Sequence, residues 1–158
     1  MKTIRFTILI NAFVLLFTFG SSLQAQNAQD NYDILKGYLT DYIVLASQAE
    51  GTCQQIETFA NNGNTNQLNL RIGSLIRSAS EIGLIKMETA RISVPNTGIM
   101  SGLRDLLEGI EGDLNMVNAF QRANTQGIAV LASALRESFS NHKGNAQEIR
   151  IAICCRAE

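Results

Sequence analysis

The sequence predicts an all-α protein, an antiparallel four-helix bundle of up-down-up-down topology. Four stretches carry apolar residues at spacings near three and four residues, the pattern of an amphipathic helix. The breaks between them are short and rich in Asn and Gly, and the chain of 158 residues contains one proline. Helices joined by loops of a few residues pack most simply as antiparallel neighbours.

The first predicted helix spans residues 30–60 and the second spans residues 65–92. Asp30 can cap the first helix, which ends at the NNGN segment, residues 61–64. A break at Gly51 would divide this helix in two. Pro95 ends the second helix, because proline disfavours helical geometry in the residue before it. The expected apolar face of the first helix comprises Leu35, Tyr38, Tyr42, Leu45, Ala49, Cys53, Ile56 and Ala60.

The third predicted helix starts at Asn96 or Thr97 and runs to about residue 122. Its apolar face is the most regular in the chain and comprises Ile99, Leu103, Leu106, Ile110, Leu114, Val117 and Phe120. The fourth helix follows the turn at residues 124–127 and closes at residues 141–144. Beyond it, the segment EIRIAICC fits both a strand and a helix period, so we expect a short C-terminal helix or an extended tail lying on the bundle.

Residues 1–25 have the layout of a secretory signal peptide. Lys2 and Arg5 precede an uncharged run over residues 6–23, and Ala25 is the expected cleavage point. Residues 26–158 would then form one exported domain, periplasmic or extracellular. Leu23 is larger than the small residue usual before a cleavage site. The alternative is therefore an uncleaved signal anchor, with the membrane contacted only through this N-terminal segment.

The charge balance of the exported domain does not favour nucleic acid as a partner. Loss of Lys2 and Arg5 from the 13 basic residues leaves 11 against 14 acidic ones, a formal charge of −3 for residues 26–158. Proteins that track phosphates carry basic patches. A domain of this length is sufficient for one hydrophobic core.

The three cysteines, Cys53, Cys154 and Cys155, are candidates for a disulfide in an oxidising compartment. A direct bridge between the adjacent Cys154 and Cys155 would close a strained ring. The favoured pairing joins Cys53 to one of them and ties the C-terminal tail to the first helix. The alternative is three reduced thiols, with Cys53 a small buried residue.

The sequence carries no catalytic, cofactor or metal constellation that we recognise. Asp105, Glu108, Glu111 and Asp113 form the densest acidic cluster, and we expect them on a solvated face between the apolar positions. The only histidine, His142, falls in the predicted helix-ending turn, where a surface capping role is expected. No metal-ligand spacing accompanies either feature.

Two glycines and two tyrosines are candidates for helix packing or for a partner-binding face. Gly102 and Gly109 are seven residues apart, nearly on one face of the third helix, where they would allow another backbone to approach closely. Tyr38 and Tyr42 give the first helix an aromatic wall.

Together these features predict an exported, non-enzymatic helical bundle that binds an envelope or secreted protein, without a cofactor. The alternative is a bundle that holds a small apolar ligand or cofactor between helices, using Tyr38, Tyr42 and the space beside the glycines.

Overall fold

The computed structural model describes the backbone of residues 3–155 and the side chains of residues 27–155. Over these residues the chain forms four α-helices and no strand, which confirms the predicted fold class. The helices are α1 (Thr3–Asn61), α2 (Thr65–Thr89), α3 (Thr97–Ala119) and α4 (Thr125–Cys154), and a 3-10 turn, Phe120–Arg122, follows α3. The signal-peptide prediction falls on residues 1–25, whose side chains lie outside the described residues.

The helices form a bundle in which each packs against two neighbours. Helix α1 lies between α2 and α4, and α3 closes the bundle on the opposite side. Two ion pairs, Glu50–Lys143 and Glu57–Arg136, join α1 to α4. The later residue of α1 pairs with the earlier residue of α4, so the two helices are antiparallel.

Asparagine caps three of the four helices. The side-chain oxygens of Asn64, Asn96 and Asn124 accept the backbone N–H three residues ahead, at the starts of α2, α3 and α4. These bonds satisfy donors that a helix start otherwise leaves open. Gly63 has φ of +68°, a left-handed conformation that ends α1 without the steric cost of a Cβ atom.

The buried residues repeat at alternating steps of four and three along the helices. This spacing averages 3.5 residues, the heptad repeat of coiled coils, and it keeps one seam of each helix facing its neighbours. The positions on α1 are Leu35, Leu39, Tyr42, Ala46, Ala49, Cys53, Ile56 and Ala60, and those on α3 and the 3-10 turn after it are Ile99, Leu103, Leu106, Ile110, Asp113, Val117 and Phe120.

The heptad register corrects several details of the predicted helices. On α1, Leu39 and Ala46 are core residues, whereas Tyr38 and Leu45 are only partly buried. Helix α1 continues through Gly51 without a break, and its N-terminal boundary lies well before residue 30. Helix α2 ends at Thr89, three residues earlier than expected.

Helix α4 continues through residues 141–144 to Cys154, so the predicted break and the separate C-terminal helix or extended tail are wrong. Ala146, Ile149 and Ile153 prolong its buried seam in register. Burial of these side chains outweighs the modest helix propensity of Asn141 and Gly144. Among the described residues, no helix has both the length and the apolar character needed to cross a membrane.

Candidate functional site

The most unusual feature of the core is a carboxylate. Asp113 occupies a seam position of α3 and its exposed fraction is 0%. It accepts hydrogen bonds from the hydroxyl of Ser138 at 2.5 Å and from Nδ1 of His142 at 2.7 Å. Ser138 and His142 are four residues apart on α4, so both face α3 from the same side of their helix. We call these three residues the Asp113 cluster.

The Asp113 cluster overturns two expectations from the sequence. Asp113 was expected on the solvated face, and His142 in a surface turn. The other acidic residues of that region, Asp105, Glu108 and Glu111, are exposed as predicted. Glu111 pairs with Lys86 of α2 at 2.9 Å, and this hydrogen bond lowers the pKa of the Glu111 carboxyl.

A register signal in the sequence locates the buried pair. In α3 the steps of four and three pass through Asp113 rather than the neighbouring Leu114, which is only partly buried. In α4 the same steps run from Ile128 to Ile153 and pass through His142, whose side chain is 18% exposed. Two polar residues at seam positions of successive predicted helices indicate a buried polar contact, because an unpaired charge there is costly.

The environment of Asp113 pulls its pKa in two directions. Burial raises the pKa of the carboxyl, whereas the hydrogen bonds from Ser138 and His142 favour the ionised form and lower it; burial is the larger effect. With Asp113 ionised, the carboxylate only accepts hydrogen bonds, and the proton of the His142 contact is then assigned to Nδ1.

The glycines of α3 make room for side chains of α4. A Cβ atom at Gly109 would overlap Nε2 of His142, so the imidazole ring occupies the space that any larger residue would fill. A Cβ atom at Gly102 would lie 3.5 Å from the side chain of Ile149, an ordinary packing distance. Where the sequence suggested the approach of another backbone, the structure places a histidine ring and an isoleucine.

The charge of Asp113 acts on two buried residues of α1, Tyr42 and Cys53. Burial and the charge of Asp113 raise the pKa of the Tyr42 phenol, and they raise the pKa of the Cys53 thiol to about 12. The Tyr42 hydroxyl is buried and has no hydrogen-bond partner among the described residues. Tyr42 is therefore a core residue, whereas Tyr38 is only partly buried at the edge of α1.

The Asp113 cluster contains the residue types of a hydrolytic triad in a different arrangement. In a triad, histidine lies between the serine and the acid and takes the serine proton. Here the acid lies between Ser138 and His142, and Nε2 of the histidine rests against Gly109. The geometry fits a structural role. No group of three or more His, Cys, Asp and Glu side chains within the described part of the chain is arranged as metal ligands.

The three cysteines are not brought together. Cys53 is buried in α1, while Cys154 and Cys155 are exposed at the end of α4. The Glu50–Lys143 pair marks where α1 and α4 lie side by side. Cys53 and Cys154 lie in opposite directions from this pair along the antiparallel helices. Their separation along the bundle is about 20 Å at the helical rise per residue, far beyond the reach of a disulfide. The favoured Cys53 pairing is therefore absent from the structure.

An apolar groove lies on the outer surface between α1 and α2. Its volume is about 440 Å³, and it is lined by Asp41, Val44, Leu45, Glu81, Leu84 and Ile85. Val44 is half exposed and Leu84 is 58% exposed. Both charged residues in the lining, Asp41 and Glu81, are acidic. We call this surface the α1–α2 groove.

A second groove of about 270 Å³ lies between α2 and α3. It brings Lys86 and Arg104 beside Glu108 and Glu111, so its charges are mixed. The Lys86–Glu111 contact already pairs part of this charge. The two grooves therefore differ in charge: the charged residues that line the α1–α2 groove are all acidic, whereas those of the second groove are of both signs.

Comparisons of this chain with protein-family models, curated proteins and solved structures found no match.

Replacement of Gly109 by alanine will destabilise the protein by about 2 kcal/mol, because the new methyl group displaces the His142 ring in a packed core. The control is Gly112→Ala on the same helix, where a Cβ meets nothing within 4 Å and should stabilise the helix by up to about 1 kcal/mol. Urea unfolding measures both. In a His142→Ala background, Gly109→Ala should become neutral or stabilising; an unchanged penalty would contradict the proposed overlap.

His142→Ala will cost about 3 kcal/mol, because it leaves the Asp113 carboxylate buried with one fewer donor. The double variant Asp113→Leu/His142→Leu removes both polar groups and should recover most of that loss. Arg136→Ala, which breaks the partly exposed pair with Glu57, serves as a control and should cost under about 1 kcal/mol. Denaturant unfolding tests this account, which fails if the double variant is no more stable than His142→Ala.

In the reduced native protein, a thiol reagent at pH 8 should modify Cys154 and Cys155 quickly and Cys53 only after unfolding. Cys53 is buried and its thiol has a pKa of about 12, so little reactive thiolate forms. Ellman titration with and without guanidinium, followed by peptide mapping, measures this difference. Equal labelling rates for all three cysteines would show that Cys53 is not held in a closed core.

Proposed function

We propose that this protein is an exported, non-enzymatic helical bundle that binds another protein of the cell envelope or a secreted protein through the α1–α2 groove. The observation that carries the proposal is the exposure of apolar side chains in a concave surface. Val44 and Leu84 lie there beside Leu45 and Ile85, in a bundle whose seam residues are otherwise buried. Apolar surfaces of this kind mark sites of association when a polar rim surrounds them.

The charges of the groove favour a particular class of partner. Asp41 and Glu81 stand among the apolar residues of the lining. An amphipathic helix with an apolar stripe and flanking Lys or Arg residues would match both features. Such a helix could lie along the furrow between two antiparallel helices and extend the packing of the bundle.

Export is supported by residues 1–25 of the sequence alone. The positive residues Lys2 and Arg5, the uncharged run and Ala25 form the tripartite pattern of a signal peptide. N-terminal sequencing of the protein recovered from producing cells distinguishes a chain starting at Gln26 from an uncleaved, membrane-anchored one.

A non-enzymatic role is supported by how the chain uses its polar residues. Asp113, Ser138 and His142 satisfy one another inside the bundle. A small-ligand site between the helices has less support, because Tyr42 is buried in the core and the space beside Gly109 holds His142. The α1–α2 groove remains the surface with the clearest capacity to bind.

A photo-crosslinking amino acid at position 84 should give a discrete adduct with one partner in producing cells. The same amino acid at position 70 is the control, because Leu70 is also on α2 and is 64% exposed, but it does not line the groove. The double variant Asp41→Lys/Glu81→Lys should reduce the position-84 adduct at least fivefold without loss of helicity. Adducts that are equal at both positions, or insensitive to charge reversal, would refute the proposed surface.

A further inference from the structure

The last turn of α4 and Cys155, the residue directly after it, carry three exposed residues on one face: Ile151, Cys154 and Cys155. Their spacings of three and four residues bring them together on the helix surface. Ile151 is 58% exposed, and both cysteines are exposed. We call this surface the C-terminal thiol face.

The rest of the chain offers these thiols no internal partner. Cys53 is buried on α1 and lies about 20 Å away along the bundle at the helical rise per residue. Cys154 and Cys155 are adjacent at the end of a regular helix, with Cys155 still at φ −72° and ψ 0°. A bridge between neighbouring cysteines requires a strained ring, which this regular backbone does not prepare.

We propose that the C-terminal thiol face joins two copies of this chain through an intermolecular disulfide. In a dimer with twofold symmetry, the same patch of each copy meets its equivalent. Ile151 then contacts Ile151 of the second copy, and the cysteines of the two copies come within bonding distance. A second copy fits this surface because it brings a thiol that can pair with Cys154 or Cys155 and an Ile151 side chain that can cover the exposed isoleucine of the first copy.

The chemistry of the link requires an oxidant. One sulfur–sulfur bond forms between the two copies, the two thiols lose their protons, and two electrons pass to a disulfide compound, which is reduced to two thiols. This inference rests on the export part of the proposed function, since such a bond persists in oxidising compartments. It does not depend on the α1–α2 groove.

Incubation of the purified reduced protein with oxidised glutathione should convert most of it to a covalent dimer. Non-reducing electrophoresis and intact mass will detect the dimer, and dithiothreitol will reverse it. The tryptic peptide containing residues 151–156 should be recovered linked to a second copy of itself. Cys154→Ser/Cys155→Ser should abolish the dimer, whereas Cys53→Ala should retain it. A monomer carrying only glutathione adducts, or one internally oxidised, would overturn the proposal.

Ile151→Glu tests whether the face guides the bond. It should slow dimer formation at least threefold, while Val130→Glu, on the same helix at a residue 65% exposed, should leave the rate unchanged. Equal rates of dimer formation in both variants would show that the thiols oxidise without a contact at Ile151, and would overturn the proposed interface. Because the reaction uses purified protein, its failure is separate from a failure of export, which N-terminal sequencing and cell fractionation measure.

Discussion

The buried carboxylate of Asp113 constrains how α3 and α4 can pack. A charge at this depth must find donors, and both come from α4, through Ser138 and His142. The imidazole then needs space, which Gly109 supplies by having no side chain. One polar contact therefore constrains four positions on two helices. A shift of α4 by one seam position would leave the carboxylate without its partners, so the contact favours a single register over neighbouring ones.

The same constraint explains why α4 is long. His142 and Lys143 lie where the sequence predicts the end of a helix, yet His142 bonds Asp113 of α3 and Lys143 pairs with Glu50 of α1. These contacts hold the turn that Asn141 and Gly144 would otherwise weaken. Ala146, Ile149 and Ile153 can then bury their side chains beyond it. Tertiary contacts thus decide a boundary that local propensity places incorrectly.

The sequence predicts four helices, their short connections and their antiparallel order, because these depend on local signals such as the asparagines at the starts of α2, α3 and α4, but it does not predict every helix boundary. The Asp113 cluster is harder to predict. A search for apolar residues alone selects Leu114 for the buried face of α3 and passes over the adjacent Asp113. Only the strict steps of four and three, followed through both helices, place Asp113 in the core and the partly buried His142 on the seam that faces it. The α1–α2 groove is harder still to predict, since Val44 and Leu84 lie on different helices and the groove forms only where those helices pack.

The division between core and surface bears directly on function. The residues with the greatest chemical capacity, Asp113, Ser138 and His142, hydrogen-bond to one another where α3 and α4 pack, and there they specify the packing. Exposed apolar side chains lie on the outside of the bundle, in the α1–α2 groove and beside the two cysteines of the C-terminal thiol face. The function that we propose uses these outer surfaces for association, and a folded bundle would present them without further ordering when a partner arrives.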